Sequence, residues 1–589
     1  MRLTLLLLAL PSIAIAQTSA TATLAVVPPT RSLLDPPGAS ELAPVVERYT
    51  ADRGALLRRY DTEWSPERNT RLRAFYTEWR DRLAATDLGA VGVEGRADWV
   101  LLDNQVRYEL ALLDRERTLL DEMRPLLPFA EPAMALQGSR RRMEPADAPA
   151  VARRLDSLAR AVDRSRKAVE ASLRGDSTSR ASRPTPIVAY RSMNALESLR
   201  RTLDAWYKYY AGYDPQFTWW ASEPWKRTDS TMASYHKFLR ERVLGYRAGE
   251  EEPIIADPIG TAGLAADLAH EMLAYDPAAM IRIAEREFAW CEAEIRKAAK
   301  EMGFDDWKAA LEKVKTAYVE PGKQPQLARE LAQEAVRWVE SHDLVTVPPL
   351  AKEVWRMEMM SPERQRVAPF FLGGEVLLVA FPTDAMTQED KLMSLRGNNR
   401  HFSRAVVFHE LIPGHHLQGF MAQRHNAHRR AFSTPFLVEG WALWWEMLLW
   451  DKGFATTPED RMGMLFWRMH RAARIMFSLR VHQGQMTPQQ AIDFLVDRVG
   501  HERANASAEV RRSFNGTYPP LYQAAYMLGG LQLRALHEEL VTKGKMSDRE
   551  FHDRVLREGP IPIEVLRAIL MGQKLEKGHV PQWKFAGDL

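Results

Sequence analysis

Three of the histidines between residues 409 and 439, together with the two glutamates there, could hold a metal ion. His409 and Glu410 are followed by the adjacent pair His415 and His416, and Glu439 comes on a later segment. Imidazole nitrogen and carboxylate oxygen are ligands that Zn²⁺ prefers, and a catalytic zinc takes three protein ligands and keeps one position open. The residue types therefore predict a catalytic zinc site.

The spacing of these histidines departs from that of the common zinc-binding helix. In that helix the two histidines are four residues apart, and a glutamate beside the first one acts as general base. On a straight helix His415 would lie about 120° around the axis from His409, and His416 about 10.5 Å further along it. Neither could then share an ion with His409.

Pro413 and Gly414 should interrupt the regular helix between His409 and His415. Proline has no amide proton for the carbonyl of His409, it disfavours helical geometry in the residue before it, and a permissive glycine follows. We expect the helix to bulge here, which would move His415 to the position one turn after His409. His416 would then lie behind the metal or face the substrate, although the sequence also allows His416 to be the ligand instead of His415.

Glu439 is the predicted third ligand, and Glu410 the predicted base. The segment between His415 and Glu439 is long enough for the end of one helix, a loop and the start of a second helix packed against the first. Glu446 lies two turns beyond Glu439 on the same helix face. It is an alternative candidate, as the hydrogen-bond acceptor that orients a ligand histidine.

The motif His-Glu-x-x-Pro-Gly-His-His at 409–416, with Glu-Gly-Trp-Ala at 439–442, resembles the bacterial family called domain of unknown function 885. The resemblance is good over residues 370–540 and weak over the rest of the chain. It implies a mainly α, elongated, two-lobed fold similar to the zincin-like gluzincin peptidases, with a small β-sheet beside the active-site helix.

Two further residues match the pattern of this family. They are Tyr526, in the sequence Gln-x-x-Tyr-x-x-Gly at 523–529, and His482, which precedes a Thr-x-x-x-Ala helix start at 487–491. The resemblance implies that both are catalytic and stabilise the oxyanion of a tetrahedral intermediate by hydrogen bonding. This chain departs from the family at 479–481, where typical members have Asp and Gly.

These residues predict a zinc-dependent hydrolase, with peptides as the favoured substrates. A short, β-branched strand expected at 376–381 could bind an extended peptide along its edge. One alternative is a zinc amidase or esterase that acts on a non-peptide compound. Another is a catalytically inactive helical protein with structural zinc, but a structural site has no use for a base such as Glu410.

The segments that must position these residues are mainly helical. Apolar residues recur at spacings of three and four in several long stretches, namely 97–121, 147–173, 262–300 and 326–341. The chain has 589 residues, of which 46% are hydrophobic. This length exceeds that of the chains that usually fold around a single hydrophobic core. We expect a helical lobe at 41–345 and a metal-binding catalytic lobe at 346–589, with a loop at 174–187.

The first residues are typical of a secretory signal peptide. Arg2 precedes an apolar run, and Ala-Ile-Ala at 14–16 forms a cleavage site. We therefore expect residues 1–16 to be removed, residues 17–40 to form a flexible leader, and the protein to be periplasmic or extracellular. The apolar run is too short to span a membrane. The nearly balanced charge of +3 does not favour a nucleic-acid partner, and the single Cys291 excludes an internal disulfide.

Overall fold

The computed structural model describes Pro28, residues 39–174, 183–247, Gly249, 253–365 and 368–587. The predicted signal peptide at 1–16 lies outside the described residues, as do most of the predicted leader at 17–40 and the middle of the loop at 174–187. Helices make up 70% of the structure and strands 2%. The prediction of a mainly α fold with a small sheet is therefore confirmed.

The helices that precede the sheet are α1 (Ala43–Arg59), α2 (Pro66–Ala85), α3 (Val93–Met123), α4 (Ala130–Arg141), α5 (Ala148–Leu173), α6 (Pro186–Tyr210), α7 (Pro215–Phe238), α8 (Gly260–His270), α9 (Pro277–Glu301), α10 (Trp307–Lys315), α11 (Gln324–Ser341) and α12 (Pro349–Val354). Those that follow it are α14 (Gln388–Gly397), α15 (Arg400–Glu410), α16 (His415–Ala422), α17 (Pro435–Asp451), α18 (Pro458–His482), α19 (Pro488–Phe494), α20 (Arg503–Phe514), α21 (Tyr522–His537), α22 (Asp548–Glu558) and α23 (Ile563–Leu570).

The sheet consists of β1 (Arg356–Met359) and β2 (Val376–Val379), with the short helix α13 (Pro362–Gln365) between them. The two strands are parallel, and Arg356 is opposite Val376. On its other side β2 makes an antiparallel bridge from Leu378 to Leu372. The strand predicted at 376–381 is thus confirmed, but it ends at Val379.

Side-chain caps fix where the helices around the predicted site begin. The Asn399 side chain accepts hydrogen bonds from two amides in the first turn of α15. Thr434 caps α17 and Thr457 caps α18, and a proline occupies the first turn of both helices. Such caps satisfy amides that have no partner within the helix, and proline loses nothing at this position because its missing N–H would be unpaired anyway.

Buried apolar side chains form two clusters. The smaller one draws on residues 123–239, whereas the larger one draws on residues 42–113 and 264–575. The larger cluster includes the buried indoles of Trp441, Trp444 and Trp445. It joins segments on both sides of residue 345, and the lobe boundary expected there stays a prediction. No helix among the described residues is long and apolar enough to cross a membrane.

Candidate metal centre

The helix that carries His409 does not continue through the motif. Helix α15 ends at Glu410, the Ile412–Pro413 peptide bond is cis, and α16 begins at His415. The bulge expected within one helix is therefore replaced by a break between two helices. The reason is local: Leu411 has φ −108° and ψ −106°, which is not helical, and Pro413 has no amide proton to continue the ladder.

The turn between the two helices is held by Gly414 and Trp441. The Gly414 amide donates a hydrogen bond to the Phe408 carbonyl at 3.0 Å. A Cβ atom on Gly414 would lie only 1.8 Å from the carbonyl oxygen of His409, so no other residue fits this close approach. The indole of Trp441 donates to the Pro413 carbonyl at 2.9 Å and joins the turn to α17.

This turn brings His409, His415 and Glu439 together. The Glu439 Oε2 atom is 3.1 Å from Nε2 of His415 and 3.6 Å from Nε2 of His409. The two imidazole rings are perpendicular, with their centroids 4.8 Å apart. His409 and Glu439 are only 2% and 5% exposed. The predicted ligands His409 and Glu439 therefore meet at one buried point. Of the two candidates for the second ligand, His415 is the one that joins them.

Charge at this point favours a cation. Burial would raise the pKa of the Glu439 carboxyl, but His415 and His409 hold that pKa well below its usual range. For His409, burial opposes the charged imidazole, yet the hydrogen bonds to Glu439 and Glu446 raise its pKa to about 9. The two glutamates thus stabilise positive charge at His409, and an ion that binds there would replace the proton on Nε2.

Glu446 orients the first histidine. Its Oε1 atom lies 2.7 Å from Nδ1 of His409, and Nη2 of Arg471 lies 3.6 Å from the same oxygen. When Nδ1 carries the proton and donates it to Glu446, Nε2 keeps its lone pair and faces Glu439. This is the arrangement that metal-binding histidines usually have.

His416 faces away from this point. Its Nε2 atom donates a hydrogen bond to the carbonyl of Ala351 in α12 at 2.7 Å, and the side chain is buried. Burial lowers the pKa of His416, which keeps the ring neutral. Of the two adjacent histidines, His415 contacts Glu439 and His416 ties α16 to α12.

A cleft of about 580 Å³ opens onto the two helices of the motif. Glu410 lines it, and one ligand atom from each of His409, Glu410 and His415 lies within 4.8 Å of the others. Leu372 and Gly373 also line the cleft, beside Glu410, whose carbonyl accepts a hydrogen bond from the Gly374 amide at 3.2 Å. These two residues, one bridge away from β2, therefore line the cleft in place of the expected strand.

Comparison with known proteins agrees with this architecture. The model of a family described as bacterial proteins of unknown function, DUF885, matches residues 51–570. The chain belongs to this family. Curated proteins gave no match.

Two solved structures resemble this DUF885 protein. One is a candidate lipoprotein of unknown function from Shewanella oneidensis, 16% identical, with a TM-score of 0.65, 90% of this chain covered and 100% of the other. The second is a candidate lipoprotein from Colwellia psychrerythraea, 17% identical, with a TM-score of 0.54 and coverages of 85% and 90%. At this level of identity the likeness shows a shared fold.

Two tyrosines of α21 contact residues of the candidate metal centre in this DUF885 protein. The ring of Tyr526 is nearly parallel to that of His409, with centroids 6.2 Å apart, and burial raises the pKa of Tyr526 to about 12. The hydroxyl of Tyr522 donates a hydrogen bond to Oε1 of Glu439. The sequence analysis missed Tyr522, although it lies one helical turn before Tyr526 and so on the same face.

His482 is not brought to the cleft of this DUF885 protein. It ends α18, its ring packs against Phe514 with centroids 5.5 Å apart, and it is not among the described residues that line the cleft. Burial lowers its pKa to about 4. On the same straight helix Arg474 packs over Tyr526, and His482 is about 12 Å further along the axis.

Proposed function

We propose that this protein is an exported zinc-dependent hydrolase that cleaves peptide bonds. The observation that carries the proposal is the meeting of His409, His415 and Glu439 at one buried point, with Glu410 beside them in an open cleft. A structural zinc site is closed by its ligands, whereas a catalytic site keeps a position open to substrate.

The donor set fits zinc. Two ligand atoms on one tetrahedral zinc with bonds of about 2.1 Å are roughly 3.4 Å apart, and the distances from Glu439 to the two imidazoles are 3.1 and 3.6 Å. Glu439 is the third ligand in this proposal because its carboxylate contacts both rings. Glu410 remains available as the base.

When bound, zinc supplies a Lewis acid that acidifies water and polarises a carbonyl group. Glu410 accepts a proton from the attacking water and passes it to the nitrogen of the leaving amine as the C–N bond breaks. Tyr526 donates a hydrogen bond to the oxyanion that forms on the former carbonyl. Tyr522 holds the Glu439 carboxylate in place through its other oxygen.

The shape of the cleft supports a peptide as substrate. Its volume of about 580 Å³ is within the range of sites for small ligands and suits a few residues of extended chain. The backbone of Leu372 is paired with Leu378, and the Gly374 amide is paired with Glu410. The backbone groups of Gly373, which lines the cleft beside Glu410, could form the main-chain hydrogen bonds that recognise extended peptides. The predicted signal peptide places the reaction outside the cytoplasm, and the description of both structural relatives as candidate lipoproteins supports this location.

Peptide-library profiling tests the proposal. The chain from Gln17 onward would be purified, its zinc content measured by mass spectrometry, and a mixed peptide library digested with and without a chelator. We expect one zinc per chain and chelator-sensitive cleavage in the wild type. The Glu410→Gln variant should keep its zinc and lose cleavage. Cleavage of esters or non-peptide amides alone would contradict the peptidase assignment, and full activity of Glu410→Gln would remove it as base.

A further inference from the structure

Arg512 on α20 is a buried cation that lines the cleft. It is only 6% exposed, yet it forms part of the cleft wall. The carboxylate nearest to it belongs to Glu509, whose Oε2 atom is 3.8 Å from Nη1 of Arg512. The Nε atom of Arg512 has no hydrogen-bond partner among the described residues. Arginine offers five donors in a planar fork, and most of this capacity is unused.

Glu509 is already engaged by another arginine. Its Oε1 atom accepts a hydrogen bond from Nε of Arg474 at 2.7 Å and lies 2.7 Å from Nη2 of the same guanidinium. A third buried arginine, Arg471, lies 3.6 Å from Glu446, whose carboxylate also holds His409. Among the described carboxylates behind the cleft, Arg512 therefore has only the 3.8 Å ion pair with Glu509 and no hydrogen bond. A ligand carboxylate in the cleft would supply the hydrogen bonds that its guanidinium lacks.

A tyrosine stack joins Arg512 to the metal centre. The guanidinium lies over the ring of Tyr518 at 4.7 Å, the rings of Tyr518 and Tyr522 are 4.3 Å apart, and Tyr522 donates to Glu439. Both tyrosines line the same cleft. Arg512 therefore lies at a fixed position along the cleft, to one side of Glu439.

We propose that Arg512 is a specificity-determining residue that binds a carboxylate of the substrate, with the free carboxyl terminus of a short peptide as its ligand. This inference rests on the proposed function and names its substrate class: peptides cut near their carboxyl end. Guanidinium and carboxylate pair through two parallel hydrogen bonds, and the Nη atoms of Arg512 could form such a pair with a carboxylate in the cleft. An aspartate or glutamate side chain carries the same group, and the experiment separates these sources.

The test compares three matched forms of one cleaved peptide: the free acid, its carboxyl-terminal amide, and an amide with glutamate as the last residue. In the wild type we expect kcat/KM for the free acid to exceed that for the plain amide by at least about tenfold. Arg512→Gln should remove this preference, and Arg512→Lys should restore part of it. Preference for the glutamate amide over the free acid would assign the site to a side chain and overturn the carboxyl-terminal assignment.

Arg430→Gln is the matched control, because Arg430 is an exposed arginine in the wall of the same cleft. This variant should keep the preference for the free acid. Loss of the preference in Arg430→Gln to the same degree as in Arg512→Gln would assign it to the overall charge of the cleft and overturn the proposal. Equal cleavage of acid and amide by the wild type would also overturn it.

A binding measurement separates this proposal from the hydrolase proposal. Calorimetry on Glu410→Gln would compare acetyl-trialanine with acetyl-trialanine amide, with and without Arg512→Gln in the same chain. Tighter binding of the acid that depends on Arg512 supports the carboxylate site even if the wild type cleaves no peptide. Cleavage without any acid preference in binding or turnover supports the hydrolase and refutes the role of Arg512. If Arg512→Gln does not fold, the ratio of kcat/KM for the free acid to kcat/KM for the amide, measured in the wild type and in Arg512→Lys, tests the proposal instead.

Discussion

Nδ1 of His409 lies 2.7 Å from Oε1 of Glu446, while Nε2 of the same ring faces Glu439 at 3.6 Å. One carboxylate thus fixes the tautomer of the imidazole, and the second marks the point to which the free nitrogen is directed. Two turns of α17 supply both groups, since Glu439 and Glu446 lie on one face of that helix. Both carboxylates of the candidate metal centre are therefore carried by one helix rather than by a loop.

Glu446→Gln should weaken zinc binding without removing it. The amide is a poorer acceptor for the Nδ1 proton, and loss of such a partner usually costs about 10- to 100-fold in metal affinity. Competition with a chelator of known affinity would measure the change. Asp451→Asn at the exposed end of the same helix is the control, because Asp451 pairs only with the surface residue Arg534 among the ion pairs described. Equal zinc affinity in wild type and Glu446→Gln would refute this role.

The two tyrosines of α21 should have separable roles. Tyr526→Phe should lower kcat by about 10²- to 10³-fold with zinc retained, because one oxyanion donor is lost. Tyr522→Phe should mainly weaken zinc binding, because Glu439 loses the hydrogen bond that holds it. Steady-state kinetics and metal titration of both variants measure the two effects. The same loss of kcat in both, with unchanged metal affinity, would contradict the division.

Gly414→Ala should destabilise the protein by more than about 2 kcal/mol. A Cβ atom would collide with the His409 carbonyl, so α15 and α16 would have to separate. Urea unfolding measures the change. Gly419→Ala on α16 is the matched control: its Cβ would meet nothing within 4 Å, and alanine in a helix interior is favoured by up to about 1 kcal/mol. A Gly414→Ala variant as stable as the wild type would disprove the tight turn.

Stability should fall as the pH drops below about 6.5. Burial lowers the pKa of His501 and of His552 to about 3, against about 6.5 in the unfolded chain. Between these values the unfolded state binds protons that the native state does not, so each residue lowers the unfolding free energy by about 1.4 kcal/mol per pH unit as pH falls.

His552→Gln tests the contribution of one of these residues. The ring accepts a hydrogen bond from Trp444 and donates one to the Leu344 carbonyl, both at 2.8 Å, and glutamine can offer both functions. Urea unfolding of wild type and variant at pH 6.5 and 5.0 should give a smaller loss of stability in His552→Gln. If the unfolding free energy falls by the same amount between pH 6.5 and 5.0 in both proteins, His552 is protonated in the native state.

The cluster of candidate metal ligands could be predicted from the sequence because its signals are local. His409, Glu410 and His415 belong to one motif, and the Pro-Gly pair explained why the spacing of six could still serve one ion. The choice between His415 and His416 was not local: it depends on the carbonyl of Ala351, more than sixty residues away. No spacing within the motif reports that contact.

The contributions of distant helices were harder to predict. Tyr522 and Arg512 reach the cleft from α21 and α20, and their roles depend on how those helices pack against α17 and α18. His482 matches a family position in sequence, but at the end of α18 its ring packs against Phe514 and it is not among the described residues that line the cleft. Its catalytic role stays a prediction. Capping residues and prolines mark the starts of α17 and α18 in the sequence itself, whereas the pairing of helices depends on packing over long separations.

Zinc content of His415→Gln and His416→Gln, measured side by side, tests the central claim most directly. The two residues are adjacent and chemically identical, but only His415 contacts Glu439. We expect His415→Gln to lose stoichiometric zinc and His416→Gln to retain one ion per chain, with both variants folded by circular dichroism. Retained zinc in His415→Gln, or its loss from a folded His416→Gln, would contradict the account.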